Sequence, residues 1–109
     1  MGFEYKISST RVKFDFEYLE KLKNLKSFWK KAEKYDTYLF GKEENSNWPE
    51  FMVCFENGEI GVTLNGSSAT KAWQEFCEIV EYWKSKDDQL SITDWDSDEN
   101  LSDEFFKNF

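Results

Sequence analysis

The chain has 109 residues, enough for one domain with one hydrophobic core, and carries a formal charge of −8. Only 39% of the residues are hydrophobic, but 19% of the chain is Phe, Trp or Tyr, and such an aromatic content is not typical of a disordered protein. The negative charge disfavours direct binding to nucleic acid or to an anionic membrane, because phosphate groups repel it.

The N-terminal part of the sequence predicts a short strand followed by a long helix. Residues 3–7 alternate between apolar and polar side chains, which predicts a strand. Residues 11–16 alternate in the same way, and this pattern indicates either a second strand or an extended segment that leads into the helix. From residue 18 to 35 the apolar spacing changes to three and four. This spacing predicts one helix of about five turns whose lysine-rich face is solvated. Residues 38–40 then predict another strand.

A β-hairpin is the clearest local prediction. Residues 51–55 and 60–64 are β-prone segments on either side of Asn57-Gly58. Asn-Gly is the dipeptide preferred in type I′ turns, since both of its residues tolerate a positive φ. The pattern therefore predicts two antiparallel strands.

A second helix and a short terminal region complete the fold. Residues 69–84 have helical spacing, with Ser67 or Ser68 placed to cap the first turn. Residues 90–92 predict a last strand, and residues 101–109 a terminal helical turn. We therefore expect an α+β fold in which two main helices pack on an antiparallel sheet of about four to five strands.

Charge is unevenly distributed along the chain. No linker or internal repeat divides the sequence, so we expect a single domain over residues 1–109, with residues 94–109 as its acidic, aromatic C-terminal segment. Residues 1–42 have a charge balance of +4, and residues 43–109 have a balance of −12. The second half is expected to attract basic proteins. We expect a cytoplasmic protein, because we find neither a secretory signal nor a long apolar run.

The side chains of common catalytic and metal sites are missing. The sequence has no histidine, the usual general base and the commonest metal ligand. Cys54 and Cys77 lack the spacing of a zinc site and are expected to be buried thiols, with a disulfide as the alternative. Asp94, Asp96 and Asp98 begin like a calcium loop, but the glycine and glutamate that such a loop requires are absent. A glycosidase-like carboxylate pair remains open. We expect no enzyme, no cofactor and no metal.

The acidic segment near the C-terminus is the candidate binding site. Between residues 94 and 104 there are six carboxylates and no basic residue. Aromatic anchors with charged neighbours are typical of binding hot spots, and carboxylates speed association with a basic partner. We predict a partner-binding set that consists of Asp94, Trp95, Asp96, Asp98, Glu99, Asp103 and Glu104. A solubilising, partly frayed terminus is the other interpretation of these residues.

In size, acidity, lack of histidine and aromatic content, and in its acidic segment, the chain resembles the immunity proteins of bacterial toxin systems, including contact-dependent growth inhibition. The resemblance implies a cognate basic toxin, an RNase or DNase domain, blocked at its active site or substrate groove. A phage- or plasmid-type DNA mimic that inhibits a host defence nuclease, and a non-inhibitory adaptor domain, are the alternatives. If the acidic segment does not steer association, the better candidates are Glu56, Glu59, Asp87 and Asp88.

Overall fold

Strands make up most of the regular elements along the chain in a computed structural model, which describes residues 3–32, 36–42, 49–65, 70–97 and 99–105. Within these residues the order is β1 (Phe3–Ser8), α1 (Phe16–Lys23), β2 (Phe28–Lys31), β3 (Thr37–Lys42), β4 (Pro49–Glu56), β5 (Glu59–Leu64), α2 (Lys71–Lys86), β6 (Ser91–Asp94) and the single turn α3 (Ser102–Phe105). The expected α+β class is confirmed.

The strands of the described residues form one antiparallel sheet in the order β2-β3-β4-β5-β1-β6. The sheet has six strands where about four to five were expected. The additional strand is β2, which lies inside the segment predicted to be helical. Residues 11–15 form no strand, so they are the extended lead-in to α1.

The predicted helix over residues 18–35 is confirmed for its first third and is wrong for residues 24–32. Asp15 caps α1 by accepting a hydrogen bond from the amide of Glu17, and the helix ends at Lys23. The carboxylate of Glu75, on α2, then accepts hydrogen bonds from the amide and the hydroxyl of Ser27 at 3.2 and 2.9 Å. These bonds hold the chain in a turn, and the aromatic residues that follow pair with β3 instead.

One hydrophobic core lies between the sheet and the two longer helices. Alternate residues of the strands point to this inner face, where Phe51 contacts Trp73 and Phe76 of α2 with ring centroids 5.2 and 5.1 Å apart. Leu19 and Leu22 of α1 are buried on the same side. The opposite, outer face of the sheet consists of the residues that alternate with these.

The predicted hairpin is confirmed. Strands β4 and β5 pair from Phe51 opposite Leu64 to Glu56 opposite Glu59. Asn57 and Gly58 have φ values of +54° and +77°, the left-handed pair that a type I′ turn requires.

The second helix begins slightly later than predicted. Its N-cap is Thr70, whose hydroxyl accepts a hydrogen bond from the amide of Trp73 at 3.2 Å. Ser67 and Ser68, the predicted caps, lie outside the described residues. The predicted last strand is confirmed as β6, and a helical turn is present as α3, while residues 106–109 lie outside the description.

The two cysteines are free thiols, and they lie on opposite faces of the sheet. Cys77 belongs to the core, and burial raises its pKa to about 12. Cys54 is only half-buried and faces outward, directly opposite Gly61. The alternative of a disulfide between them is wrong.

Asp87 is expected to make stability depend on pH in the acid range. The hydroxyl of Ser9 donates a hydrogen bond to its carboxylate and lowers its pKa, and the amide of Gln89 and the charge of Arg11 act in the same direction. The pKa of Asp87 is therefore lower in the folded state than in the unfolded state, where it has the ordinary value of 3.8. At pH values above 3.8 the ionised carboxylate stabilises the native state, and this stabilisation is lost as the pH falls through the folded-state pKa. We expect Ser9→Ala to lower the free energy of unfolding more at pH 7 than at pH 3, as measured by urea titration.

Thr10→Ala is the matched control for this prediction. The Thr10 hydroxyl donates to the neutral amide oxygen of Gln89 at 3.2 Å, so its removal is expected to cost the same at both pH values. An equal loss for Ser9→Ala at pH 7 and pH 3 would contradict the role assigned to Asp87.

Candidate partner-binding surface

The acidic segment folds back on β6 as a hairpin-like loop. The amide of Asp94 donates a hydrogen bond to the carbonyl of Glu99 at 2.8 Å, and the amide of Leu101 donates to the carbonyl of Ile92 at 2.9 Å. Thr93 and Asn100 form an isolated antiparallel bridge between these two bonds. Residues 99–101 therefore cover the edge of β6, which would otherwise expose unpaired backbone groups.

Asp94 stabilises the turn of this loop. Its carboxylate accepts hydrogen bonds from the amides of Asp96 and Ser97 at 2.9 and 3.0 Å. These two bonds, that of Ser97 first, hold the pKa of Asp94 below its ordinary value. The carboxylate therefore stays ionised and fixes the conformation of the turn.

Trp95 anchors the loop on the outer face of the sheet. Its amide donates a hydrogen bond to the carbonyl of Glu4, and its indole lies over Gly61 of β5. A Cβ atom built on Gly61 would lie 2.5 Å from Cζ3 of Trp95 and 2.8 Å from Sγ of Cys54. The glycine thus leaves the space that the ring occupies, and the half-buried indole shields a strand position that has no side chain.

Phe105 anchors the other end of the segment on the inner face. It is 2% exposed, and its ring centroid lies 5.2 Å from that of Tyr5 and 5.0 Å from that of Trp73. The interpretation of this segment as a frayed terminus is therefore wrong for its described residues. The loop is held from both faces of the sheet.

The predicted partner-binding residues fall into three groups. Asp96 and Glu99 are exposed on the loop, beside the exposed Glu4 of β1. Asp94 and Trp95 are half-buried and hold the loop in place. Asp98 lies outside the described residues, and Asp103 and Glu104 lie in α3 with side chains outside the description. The binding role of the set stays a prediction. Sequence reasoning missed Glu4, because only the pairing of β1 with β6 brings it to the loop.

Two of the four alternative acidic residues are engaged by other side chains or amides of the chain, although Glu56 and Asp88 are exposed. The carboxylate of Asp87 is bound by Ser9 and Gln89, and Asp88 forms an ion pair with Arg11 at 3.1 Å. Glu56 and Glu59 face each other across the last pair of the β4–β5 hairpin. Asp96 and Glu99 are exposed in a loop whose turn Asp94 holds in place, and this combination of exposed charge and fixed backbone favours the loop as the candidate.

A shallow hollow of about 300 Å³ lies on the outer face of the sheet. Its lining is mostly small or apolar and consists of Ala32, Thr37, Leu39, Met52, Cys54, Gly61 and Thr63. Trp95 lines an adjoining depression together with Glu4, Cys54 and Gly61. Burial raises the pKa of the Cys54 thiol, so the cysteine contributes an uncharged, weakly polar surface.

Basic side chains lie at the other end of the sheet. Lys30 and Lys31 are exposed on β2, the strand farthest from β6. Five strand spacings of about 4.8 Å separate β2 from β6, so the basic and acidic ends are about 24 Å apart. The β2 edge of the sheet therefore carries exposed positive charge, of which Lys31 is paired with Asp36 at 3.2 Å, and the loop after β6 carries exposed negative charge.

No group of three or more His, Cys, Asp or Glu side chains that could hold a metal ion occurs among the described residues. Of the helices in the described part of the chain, none is long and apolar enough to cross a membrane. Comparison of the chain with family models, curated proteins and solved structures finds no match.

Proposed function

We propose that this chain is an immunity protein that acts in the cytoplasm by binding a cognate basic toxin, a nuclease, and blocking its active site or substrate groove. It acts by binding, without catalysis or a cofactor. The observation that carries the proposal is an acidic loop fixed at both ends, by Trp95 on one face of the sheet and by Phe105 on the other.

The fixed loop supports inhibition of a basic groove in two ways. Asp96 and Glu99 expose their charges from a turn whose backbone is already ordered, so little conformational entropy is lost on binding. Negative charge on a rigid frame also steers a basic partner and raises its association rate. Both effects favour a partner whose own ligand is a polyanion.

Inhibition by a stoichiometric complex is the direct test. Where a neighbouring gene encodes a toxin nuclease domain, that domain is mixed with the protein at equal concentrations, and cleavage of RNA and of DNA is followed. We expect cleavage to be lost near one equivalent. Cleavage that continues unchanged would contradict the proposal and leave the adaptor and DNA-mimic hypotheses.

The loop is expected to determine how fast the complex forms. Because two steering charges are removed, Asp96→Asn with Glu99→Gln should slow association at low salt by about three- to tenfold and reduce its salt dependence. Stopped-flow fluorescence at several salt concentrations measures both quantities.

Glu78→Gln with Glu81→Gln is the matched control, since it removes the same charge from exposed positions on α2. We expect a much smaller change for this pair. Equal slowing by the two double variants would mean that net charge, and not the loop, steers the partner.

A further inference from the structure

The outer face of the sheet has a row of side chains that changes from positive through apolar to negative. The pairing of β2, β3, β4, β5 and β1 aligns one residue from each strand. In strand order, the row is Lys30, Leu39, Met52, Thr63 and Glu4. The two charged ends are exposed, while the three central residues are half-buried, and the longer described helix packs on the opposite face of the sheet.

Such a row is complementary to itself. A two-fold axis parallel to the strands, passing over Met52, reverses the row and places Lys30 of one copy opposite Glu4 of the other. A two-fold axis across the strands would bring like charges together instead. We propose that the outer face binds a second copy of this chain, in a symmetric dimer with its axis along β4.

The shape of the face fits the same arrangement. The indole of Trp95 lies over Gly61, on the acidic side of the axis, and the hollow extends to Ala32 on the basic side. Rotation about the axis carries the tryptophan of each copy over the hollow of the other. A projecting ring therefore meets a depression of about 300 Å³.

The area of the outer face determines how strongly two copies are expected to bind. A face about 24 Å wide and about 20 Å long gives about 1,000 Å² over both copies, the lower limit of a specific interface. We therefore expect a weak dimer that dissociates on dilution. This inference does not rest on the proposed function, because it needs no toxin, although Glu4 and Trp95 lie where the outer face and the acidic loop meet.

Charge reversal tests the axis directly. The dissociation constant of the dimer is measured by sedimentation equilibrium from micromolar to millimolar concentration. Lys30→Glu and Glu4→Lys should each raise it about tenfold or more, because each places like charges opposite one another twice per dimer. The double variant Lys30→Glu with Glu4→Lys should restore dimerisation. Both residues are exposed, so neither change is expected to unfold the chain.

Glu78→Lys on α2 reverses a charge away from the outer face and should leave the dissociation constant unchanged. A second readout is the rate at which a maleimide modifies Cys54, which should fall as the protein concentration rises. A monomer at every concentration would overturn the proposal and leave the face to a different partner. Dimerisation that is insensitive to both single reversals, or not restored by the double variant, would also overturn it.

Discussion

Replacing Phe105 with alanine is expected to lower the free energy of unfolding by about 3–5 kcal/mol, a large part of the total for a domain of this size. The side chain is 2% exposed and contacts the rings of Tyr5, Trp73 and Phe76 at centroid distances of 5.0 to 6.1 Å. Removal of the ring leaves a cavity in the centre of the core. Urea denaturation followed by far-UV circular dichroism measures the loss.

Phe16→Ala is the control, because it removes the same atoms from a side chain that is 68% exposed. We expect its effect to stay within about 0.5 kcal/mol. If the two variants were equally stable, Phe105 would not be part of the core and the acidic loop would be held at one end only.

The position of Phe105 also determines which experiments can test the acidic loop. Deleting residues 94–109 removes a core ring together with the carboxylates, so loss of binding in that variant would not distinguish docking from unfolding. Point substitutions at the exposed Asp96 and Glu99 avoid this difficulty. The same reasoning excludes Asp94, whose carboxylate holds the turn.

Features with a local cause were predicted correctly from the sequence. The hairpin follows from Asn57-Gly58, which determine their own turn whatever surrounds them. The second helix follows from a long, regular apolar stripe, and only its cap was misplaced. Both predictions depend on residues close together in the chain.

Features with a distant cause were not predictable. The apolar spacing after residue 23 continues the helical period, but the chain leaves the helix at Asn24, and Glu75 binds Ser27 from 48 positions away and holds the turn that follows. The residues of the candidate site likewise include some with a local cause and some with a distant cause. Local density of carboxylates identified the loop, whereas Glu4 and Gly61 belong to it only through the pairing of β1 with its neighbours.

Gly61→Ala is expected to be the second most damaging substitution, at about 1–3 kcal/mol, because the added methyl group overpacks the outer face. Its Cβ would lie 2.5 Å from the indole of Trp95, and 2.8 Å from Sγ of Cys54. The strand and the ring cannot both keep their positions. We expect the indole to be displaced, with a red shift of its fluorescence as it becomes solvated.

A double-mutant cycle with Trp95→Ala separates two contributions to the cost of Gly61→Ala: the contact with the indole and the effect on the strand backbone. In the absence of the indole, the methyl group at position 61 meets only the thiol of Cys54, which has other rotamers available. Gly61→Ala should therefore cost less in the Trp95→Ala background than in the wild type. An equal cost in both backgrounds would mean that the strand requires Gly61 and that the tryptophan does not. A lower cost would instead show that Gly61 is retained for the tryptophan, and that the outer-face anchor of the acidic loop depends on a residue 34 positions earlier in the chain.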